Sequence, residues 1–508
     1  MTCAFLLVTG MLLHGQDNRP NIIFIVTDDQ HRDQFNFLPE GRDEMGDPLN
    51  LTPHIDRLAS EGVILDQCYV STSVCTPSRY SILTGTYASR AMNQNFLDDA
   101  QRYNQTNVHW NVDLIPEVYN IAKVLKTNGY FTGGVGKNHV IAADNAYQVR
   151  RDADPSDPEV KMELVANQAA QVKAYQANGF DFAASIYKGN LPHSYPLALE
   201  DHNMDWIVKG ALDFISEASS REEPFFLYFA TTLEHGPDQL GTKYQGNPLV
   251  TPVGFLAEPL TVMPSRDHIT TRIEDAGLPA EKADILWLDD GIGALLHSLD
   301  NAGELESSVI FFINDHAVEH GKGSLYQGGI HTAGFVWGPK FISQGFRSDQ
   351  LVSNIDFVPT VLELCHIESP SDYHMDGKSI APLLHGIDKP IHKSLFFEIG
   401  ATRAVLMDGW KYLAFRTPSG KRPQLEINGK RATHINDQPN GRGSEQPAIR
   451  FYPNYFDEDQ LYNVTDDREE RENLYEELKN SRKVKILKKE LVKYLGQVPG
   501  DFAEFISE

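Results

Sequence analysis

The chain has 508 residues, a formal net charge of -25 and an ordinary share of apolar residues. Its length favours two domains, and its composition is that of a globular protein. The acidic balance argues against nucleic-acid binding, which needs a basic face, and against adhesion to anionic membranes. An anionic substrate would therefore have to meet a locally basic pocket in an acidic protein.

An apolar run over residues 4–13 opens the chain. It is too short to span a bilayer and resembles the apolar core of a secretory signal, with a cleavage site near Gly15 and Gln16. The alternative is an N-terminal segment that packs on the protein or is disordered. We favour a signal peptide at 1–16 and export to a periplasm or to the outside. No other stretch of the sequence predicts a membrane span.

The first predicted strand, residues 20–26, is continuous, apolar and rich in β-branched residues, as in strands buried on both faces. Asp28 and Asp29 follow it. Adjacent carboxylates at the end of a buried strand are costly unless a cation pairs with them, and ligands of open α/β sheets bind at that edge. The pair either caps a turn or binds a hard divalent cation, which prefers oxygen ligands.

The next segment contains a cysteine in an unusual setting. Pro77 can occupy the first turn of a helix, where its missing N–H costs nothing. Cys75 is therefore predicted at a helix N-terminus, which favours negative charge. Arg79 lies one turn further along the same face. A nucleophile beside a cation and a helix N-terminus suits an anionic substrate.

More polar side chains follow later apolar or glycine-rich strands, again at the edge where ligands bind. They are Lys137, His139, His235, Asp315, His316 and, a few residues later, Lys322. Each on its own is as compatible with a solvated loop as with a site. Glu319 and His320, which lie in the same loop as Lys322, are interpreted as solvated residues.

Together these segments resemble the signatures of the type I, formylglycine-dependent sulfatase family in the alkaline-phosphatase-like superfamily. The matching segments are Asp28-Asp29, Cys75-x-Pro77-Ser78-Arg79, Gly136-Lys137-x-His139, His235-x-Pro237, Asp315-His316, Gly321-Lys322-x-Ser324 and Leu461-Tyr462-Asn463. They occur in the family's order over essentially the whole chain after residue 18. Several motifs in one order are far more specific than any one of them.

The resemblance implies an α/β fold with two domains. Residues 17–388 would form a large alkaline-phosphatase-like domain, whose central sheet is mixed, mostly parallel and flanked by helices. Residues 389–508 would form a smaller C-terminal α+β domain with an antiparallel sheet. The polar segments 93–111 and 418–450 are interpreted as loops, and 142–190 as an insertion with some helix and no strand.

The resemblance also implies the chemistry. A formylglycine-generating enzyme would oxidise Cys75 to formylglycine, and a hydroxyl of its hydrate would attack the sulfur of a sulfate ester. The implied metal is calcium, with magnesium or manganese as alternatives. Its ligands would be Asp28, Asp29, Cys75, Asp315 and His316. Arg79 would orient the hydrate, and Lys137 and Lys322 would neutralise the charge of the sulfate. His235 would protonate the leaving alcohol, and His139 would accept a proton.

The predicted function is sulfuric ester hydrolysis, with a sulfated carbohydrate as substrate. Three alternatives stay open. The first is a phosphomonoester, phosphodiester or phosphonate hydrolase of the same superfamily. The second is a sulfatase of small aryl sulfates or choline sulfate. The third, a catalytically silent carbohydrate-binding protein, predicts a missing ligand or nucleophile, and the sequence lacks neither.

Overall fold

The computed structural model describes residues 19–191, 194–237, 242–418, 431–435 and 443–502. The predicted signal peptide lies outside the described residues, as does most of the predicted loop at 418–450. Within the described part of the chain, no helix combines the length and the apolar character that crossing a bilayer requires.

Two sheets and one short hairpin contain all the named strands. The strands are β1 (Asn21–Thr27), β2 (Val63–Tyr69), β3 (Phe131–Lys137), β4 (Phe182–Tyr187), β5 (Phe225–Ala230), β6 (Val250–Thr251), β7 (Gly254–Phe255), β8 (Ser308–Asn314), β9 (Gly334–Trp337), β10 (Phe346–Ser353), β11 (Leu395–Ile399), β12 (Thr402–Met407), β13 (Trp410–Phe415) and β14 (Asp459–Asn463). Strands β6 and β7 form the hairpin.

The larger sheet has eight strands in the order β10-β2-β9-β8-β1-β5-β3-β4. Strand β9 is antiparallel to both of its neighbours, and every other pairing in the sheet is parallel. The smaller sheet, β11-β12-β13-β14, is antiparallel throughout. These two sheets confirm the predicted α/β fold with a mixed, mostly parallel sheet and a second, antiparallel one.

Helices flank the larger sheet and cover one face of the smaller one. They are α1 (Pro53–Glu61), α2 (Cys75–Thr84), α3 (Gln94–Tyr103), α4 (Ile121–Thr127), α5 (Pro158–Ala177), α6 (Met204–Ala218), α7 (Ile269–Asp275), α8 (Ala283–Asn301), α9 (Gln327–Ile330), α10 (Phe357–Leu364), α11 (Ala381–Leu384), α12 (Gln446–Phe451), α13 (Tyr475–Leu478) and α14 (Arg482–Leu495). On α14, Val484, Leu487 and Leu491 are buried against the smaller sheet, as their spacing predicts.

Strand β1 shows why the continuous apolar runs of the sequence form the centre of the larger sheet. All of its residues are buried, and successive side chains of a strand point to opposite faces. Phe24 packs in one hydrophobic cluster, whereas Ile23 and Ile25 pack in a second cluster on the other face. The central strands are therefore held rigidly, and their carboxyl ends are fixed relative to one another.

Two sequence-based expectations are wrong. The segment 93–111 contains α3, on which Phe96 is the one buried residue. A mostly polar surface helix gives little apolar periodicity, so the sequence favoured a loop. The segment 142–190 contains β4, which is an edge strand half-buried along its first part. Its mixed sequence follows from that edge position and lacks the apolar run of a central strand.

A buried ion pair connects the smaller sheet to the loop that carries Lys322. Lys411 on β13 lies 2.6 Å from Glu470, and both side chains are fully buried. Lys411 also donates to the carbonyl oxygen of Leu325 at 2.5 Å, and Glu470 accepts the backbone N–H of Gln327 at 2.5 Å. The smaller sheet and the segment around Glu470 thereby fix the backbone just after Lys322.

We expect Lys411→Met to lower the free energy of unfolding by about 3–5 kcal/mol, because it leaves the buried Glu470 carboxylate without its cation. Urea unfolding measures the change. The exposed Lys479 pairs with Glu476 on the surface, so Lys479→Met is the matched control and should change stability little. The double variant Lys411→Met/Glu470→Leu should recover much of the loss. Equal midpoints for Lys411→Met and the control would contradict this interpretation.

Candidate active site

Two adjacent strand ends bring the predicted carboxylates together. Strands β1 and β8 are parallel neighbours, with Thr27 opposite Asn314. Asp28 and Asp315 therefore leave the sheet side by side at its carboxyl edge. Asp29 has a positive φ of 53°, and its backbone N–H donates to Asp315 Oδ1 at 3.3 Å. The left-handed turn, which aspartate tolerates better than most residues, holds the two chain segments together.

Cys75 is the first residue of α2, as its sequence context predicts. Its side chain is completely buried, and Sγ lies 3.3 Å from Nε2 of His316. Ligand atoms of Asp28, Asp315 and Cys75 lie within 4.8 Å of one another, and those of Asp29, His316 and Cys75 do the same. The structure thus brings together all five residues that the sequence predicts as metal ligands.

Each of the clustered aspartates contacts a cation. Arg79 donates to Asp28 at 3.3 Å and to Asp315 at 3.0 Å, with all three side chains fully buried. Lys137, the last residue of β3, contacts Asp28, and Lys322 lies 2.7 Å from Asp29. Buried carboxylates need such partners.

The three predicted histidines lie around the same cluster. His316 Nε2 is 3.1 Å from Asp29 Oδ1, whereas His235 Nε2 is 3.6 Å from Asp29 Oδ2. His235 comes from the loop after β5, the other neighbour of β1 in the sheet. His139 follows β3 with a positive φ of 54°, and its buried Nδ1 has no hydrogen-bond partner among the described residues.

Burial and local charge shift the titration of the site. Burial raises the pKa of the Cys75 thiol, but the charges of Lys137 and Lys322 outweigh it, and the pKa is lowered overall. For Asp29 burial also raises the pKa, yet Lys322 and then His235 hold it well below its usual value. Burial, with the charge of Lys137, lowers the pKa of His235 to about 4. These shifts mark a positive potential around residue 75.

The donor set fits a divalent cation. Three carboxylates, from Asp28, Asp29 and Asp315, supply the oxygen atoms that calcium and magnesium prefer. The imidazole of His316 is a softer ligand that also suits manganese and other transition metals. Residue 75 lies against both groups of ligand atoms, so a cation held here would also contact that side chain.

Asn314, the last residue of β8, also supports the site, a role that its motif did not predict. Its side-chain oxygen accepts the backbone N–H of Gln30 at 3.1 Å, and its nitrogen donates to the Gln30 carbonyl at 2.9 Å. The amide thus cross-links the two aspartate-bearing turns. The sequence signal for this role is a polar residue that ends an otherwise apolar strand.

The interpretation of Glu319 as a solvated residue is wrong. Its carboxylate accepts the backbone N–H of Arg32 at 2.5 Å, and its Oε2 is buried. The loop after β8 folds back over the segment after β1, which brings Glu319 into the interior. His320 is exposed as expected, and its ring stacks on Phe451 with 4.4 Å between centroids.

A buried cysteine at a helix N-terminus, paired cations and a carboxylate cluster lie together at the carboxyl edge of a mostly parallel sheet, an arrangement that suits an anionic substrate. The sulfatase family model matches residues 20–367, more than half of the chain. The chain therefore belongs to the sulfatase family and is an enzyme of the sulfate-ester hydrolase class. The resemblance that the motifs indicate is confirmed.

Among curated relatives, the chain is 25% identical to the N-acetylgalactosamine-6-sulfatase of Rattus norvegicus over 412 residues, which cover 75% of this chain and 69% of that protein. Ps i-CgsB, solved in complex with k-i-k-neocarrahexaose, aligns with a TM-score of 0.60 and 19% identity over 96% of this chain and 95% of that one. A protein solved with its substrate, D-glucosamine-2-N,6-O-disulfate, aligns with a TM-score of 0.59 and 19% identity over 94% and 98%. The two structural alignments show the shared fold.

Proposed function

We propose that this sulfatase releases sulfate from a sulfated carbohydrate, with a formylglycine made from Cys75 and a divalent cation in its active site. The observation that carries the proposal is the position of Cys75 at the start of α2, with its sulfur within 4.8 Å of ligand atoms of the three aspartates and of His316. The similarity to N-acetylgalactosamine-6-sulfatase supports a carbohydrate substrate. Export, with removal of residues 1–16, is part of the same proposal and is supported by the apolar run at 4–13.

Asp28, Asp29, Asp315 and His316, together with residue 75, would hold the cation. Calcium suits the carboxylate oxygens, and magnesium or manganese are the alternatives. When bound, the cation would polarise the sulfate oxygens and lower the pKa of the nucleophilic hydroxyl.

The aldehyde hydrate would supply one hydroxyl as the nucleophile and a second whose loss of a proton expels sulfate. A formylglycine-generating enzyme is the maturation partner that this chemistry needs. The N-terminus of α2 presents residue 75 where the helix dipole favours negative charge. Arg79 binds Asp28 and Asp315 through Nε and Nη2. Its Nη1 is engaged by neither carboxylate and is left to orient the hydrate.

Lys137 and Lys322 are the proposed stabilisers of sulfate charge. Both lower the pKa of Cys75, so their positive potential already acts at the reacting position. Such preorganised charges stabilise a transition state without reorganisation. The sulfate group would compete with Asp28 and Asp29 for these two cations.

His235 and His139 are the proposed proton donor and acceptor. His235 lies beside Asp29 at the mouth of the site, and bound sulfate would raise its pKa from about 4 toward the protonated form that a donor needs. Burial lowers the pKa of His139 well below its usual value, so its imidazole is neutral and able to accept a proton.

Cys75→Ala should abolish sulfate release from a small aryl sulfate, because alanine supplies no nucleophile. The measurement combines turnover with the mass of the peptide that contains residue 75, using protein made with a formylglycine-generating enzyme. Cys68→Ala is the matched control, since Cys68 is also a buried cysteine but lies on β2. We expect an aldehyde mass and activity in the control and neither in Cys75→Ala.

An unmodified thiol in fully active protein would contradict the proposed chemistry. An aldehyde-containing protein that turns over only phosphate or phosphonate esters would instead favour a superfamily hydrolase with a different ester specificity.

His235→Gln should slow the hydrolysis of alkyl sulfates about 10²–10⁴-fold, which is the usual contribution of a general acid. The same substitution should slow the hydrolysis of 4-nitrophenyl sulfate much less, because 4-nitrophenolate departs without protonation. The wild-type rate for alkyl sulfates should also fall as the pH rises above the pKa of His235 in the complex. His297→Gln, on the exposed side of α8, is the control. An equal loss of rate for alkyl sulfates and for 4-nitrophenyl sulfate would assign His235 a role other than proton donation.

A further inference from the structure

A second cavity lies beside the candidate active site. The active-site cavity, about 380 Å³ in volume, is lined by Asp29 and Lys322 among others. The larger cavity has a volume of about 690 Å³. His31, Glu234 and His320 line both of them. The cavities therefore adjoin, and the larger one is next to the position that the sulfate would occupy.

The permanent cations of the larger cavity are already paired. Arg32 lies 3.1 Å from Glu40, and Arg468 contacts the same carboxylate. Lys282 lies 3.5 Å from Asp33. The two arginines share one carboxylate, but the whole lining has six acidic residues against three lysine and arginine side chains, so negative charge is in excess.

Three further carboxylates line the cavity without an ion-pair partner in the described part of the chain: Glu281, Glu319 and Glu469. Glu281 and Glu469 are exposed at the rim, whereas Glu319 reaches the interior. The lining of this cavity therefore carries a net negative charge, next to a site where Lys137 and Lys322 are available to bind sulfate. The sulfate group of a bound substrate would lie near lysines, whereas the adjacent part of the substrate would lie near carboxylates.

Two buried polar atoms of this lining are left without a hydrogen-bond partner in the part of the chain that the structure describes. Gln327 is only 5% exposed, and its Nε2 has no partner at hydrogen-bonding distance and angle among the described residues. Glu319 Oε2 is also without one, although Oε1 accepts the N–H of Arg32. One hydrogen-bond donor and one acceptor suit a ligand with hydroxyl groups, because a hydroxyl both donates and accepts hydrogen bonds. Phe451 and Tyr452 add an aromatic part of the wall.

We propose that this cavity binds a neutral, hydroxyl-bearing sugar residue next to the sulfated one and disfavours a second sulfate there. The inference rests on the proposed function, because it assumes that sulfate is bound beside Cys75. A second sulfate in the cavity would face a lining in which carboxylates outnumber the lysine and arginine cations, and like charges across an interface reduce affinity and set specificity. Neutral hydroxyl groups meet no such repulsion.

The test compares kcat/KM for a monosulfated disaccharide and for the same disaccharide with a second sulfate on the adjacent residue. We expect the wild-type protein to prefer the monosulfated substrate at least tenfold. The double charge reversal Glu281→Lys/Glu469→Lys should reduce this preference about fivefold or more. Both positions are exposed, so folding should be unaffected. The control Glu217→Lys/Glu222→Lys reverses two exposed charges elsewhere and should leave the preference unchanged.

Turnover of a small aryl sulfate by the wild-type protein separates the two proposals. If the aryl sulfate is hydrolysed but the disulfated disaccharide is equally good, or charge reversal does not change the ratio, the cavity proposal is overturned. If no sulfate ester is hydrolysed, the proposed function fails. In that case, calorimetry measures the dissociation constants of the monosulfated and the disulfated disaccharide. The cavity proposal then predicts tighter binding of the monosulfated one, and a smaller difference after charge reversal.

Discussion

The structure of the site depends on the compensation of three aspartates by three cations at one edge of the sheet. Asp28 and Asp315 are fully buried and share Arg79, while Lys137 and Lys322 contact Asp28 and Asp29. Such a cluster would be strongly destabilising without its cations. A protein retains buried, paired charges of this kind most readily where they also bind something, and here the common neighbour is Cys75.

The fold brings these charged residues together at one edge of the sheet. Strands β8, β1, β5 and β3 are consecutive in the sheet. Their carboxyl ends and the loops that follow them supply the aspartates, His235 and the residues from Lys137 to His139. Helix α2 adds Cys75 and Arg79 from the side. Lys411 of the smaller sheet and Glu470 hold the loop after Lys322. Both sheets therefore contribute to the geometry around residue 75.

Much of this arrangement can be predicted from the sequence. The apolar runs identify the central strands, and the polar residues just after them identify the ligand-binding edge, because parallel strands end together. The start of α2 at Cys75 follows from Pro77. These are local signals, and the family motifs add the order in which they occur.

The rest depends on contacts that no local pattern shows. The Lys411–Glu470 pair joins residues far apart in the chain, and nothing in either segment marks the partner. The burial of Glu319 arises because its loop folds over Arg32. Edge strand β4 and surface helix α3 have weak periodicity because only part of each is buried. The charge of the larger cavity likewise appears only when distant segments are assembled.

The central claim is that the aspartate cluster binds one divalent cation, and its most direct test is the metal content of the purified protein. Protein equilibrated with calcium should retain about one ion per chain by mass spectrometry. Asp315→Asn should retain almost none, while Asp349→Asn, an exposed control on β10, should match the wild type. Equal metal content in all three, or sulfate release by wild-type protein that binds no divalent cation, would contradict the account.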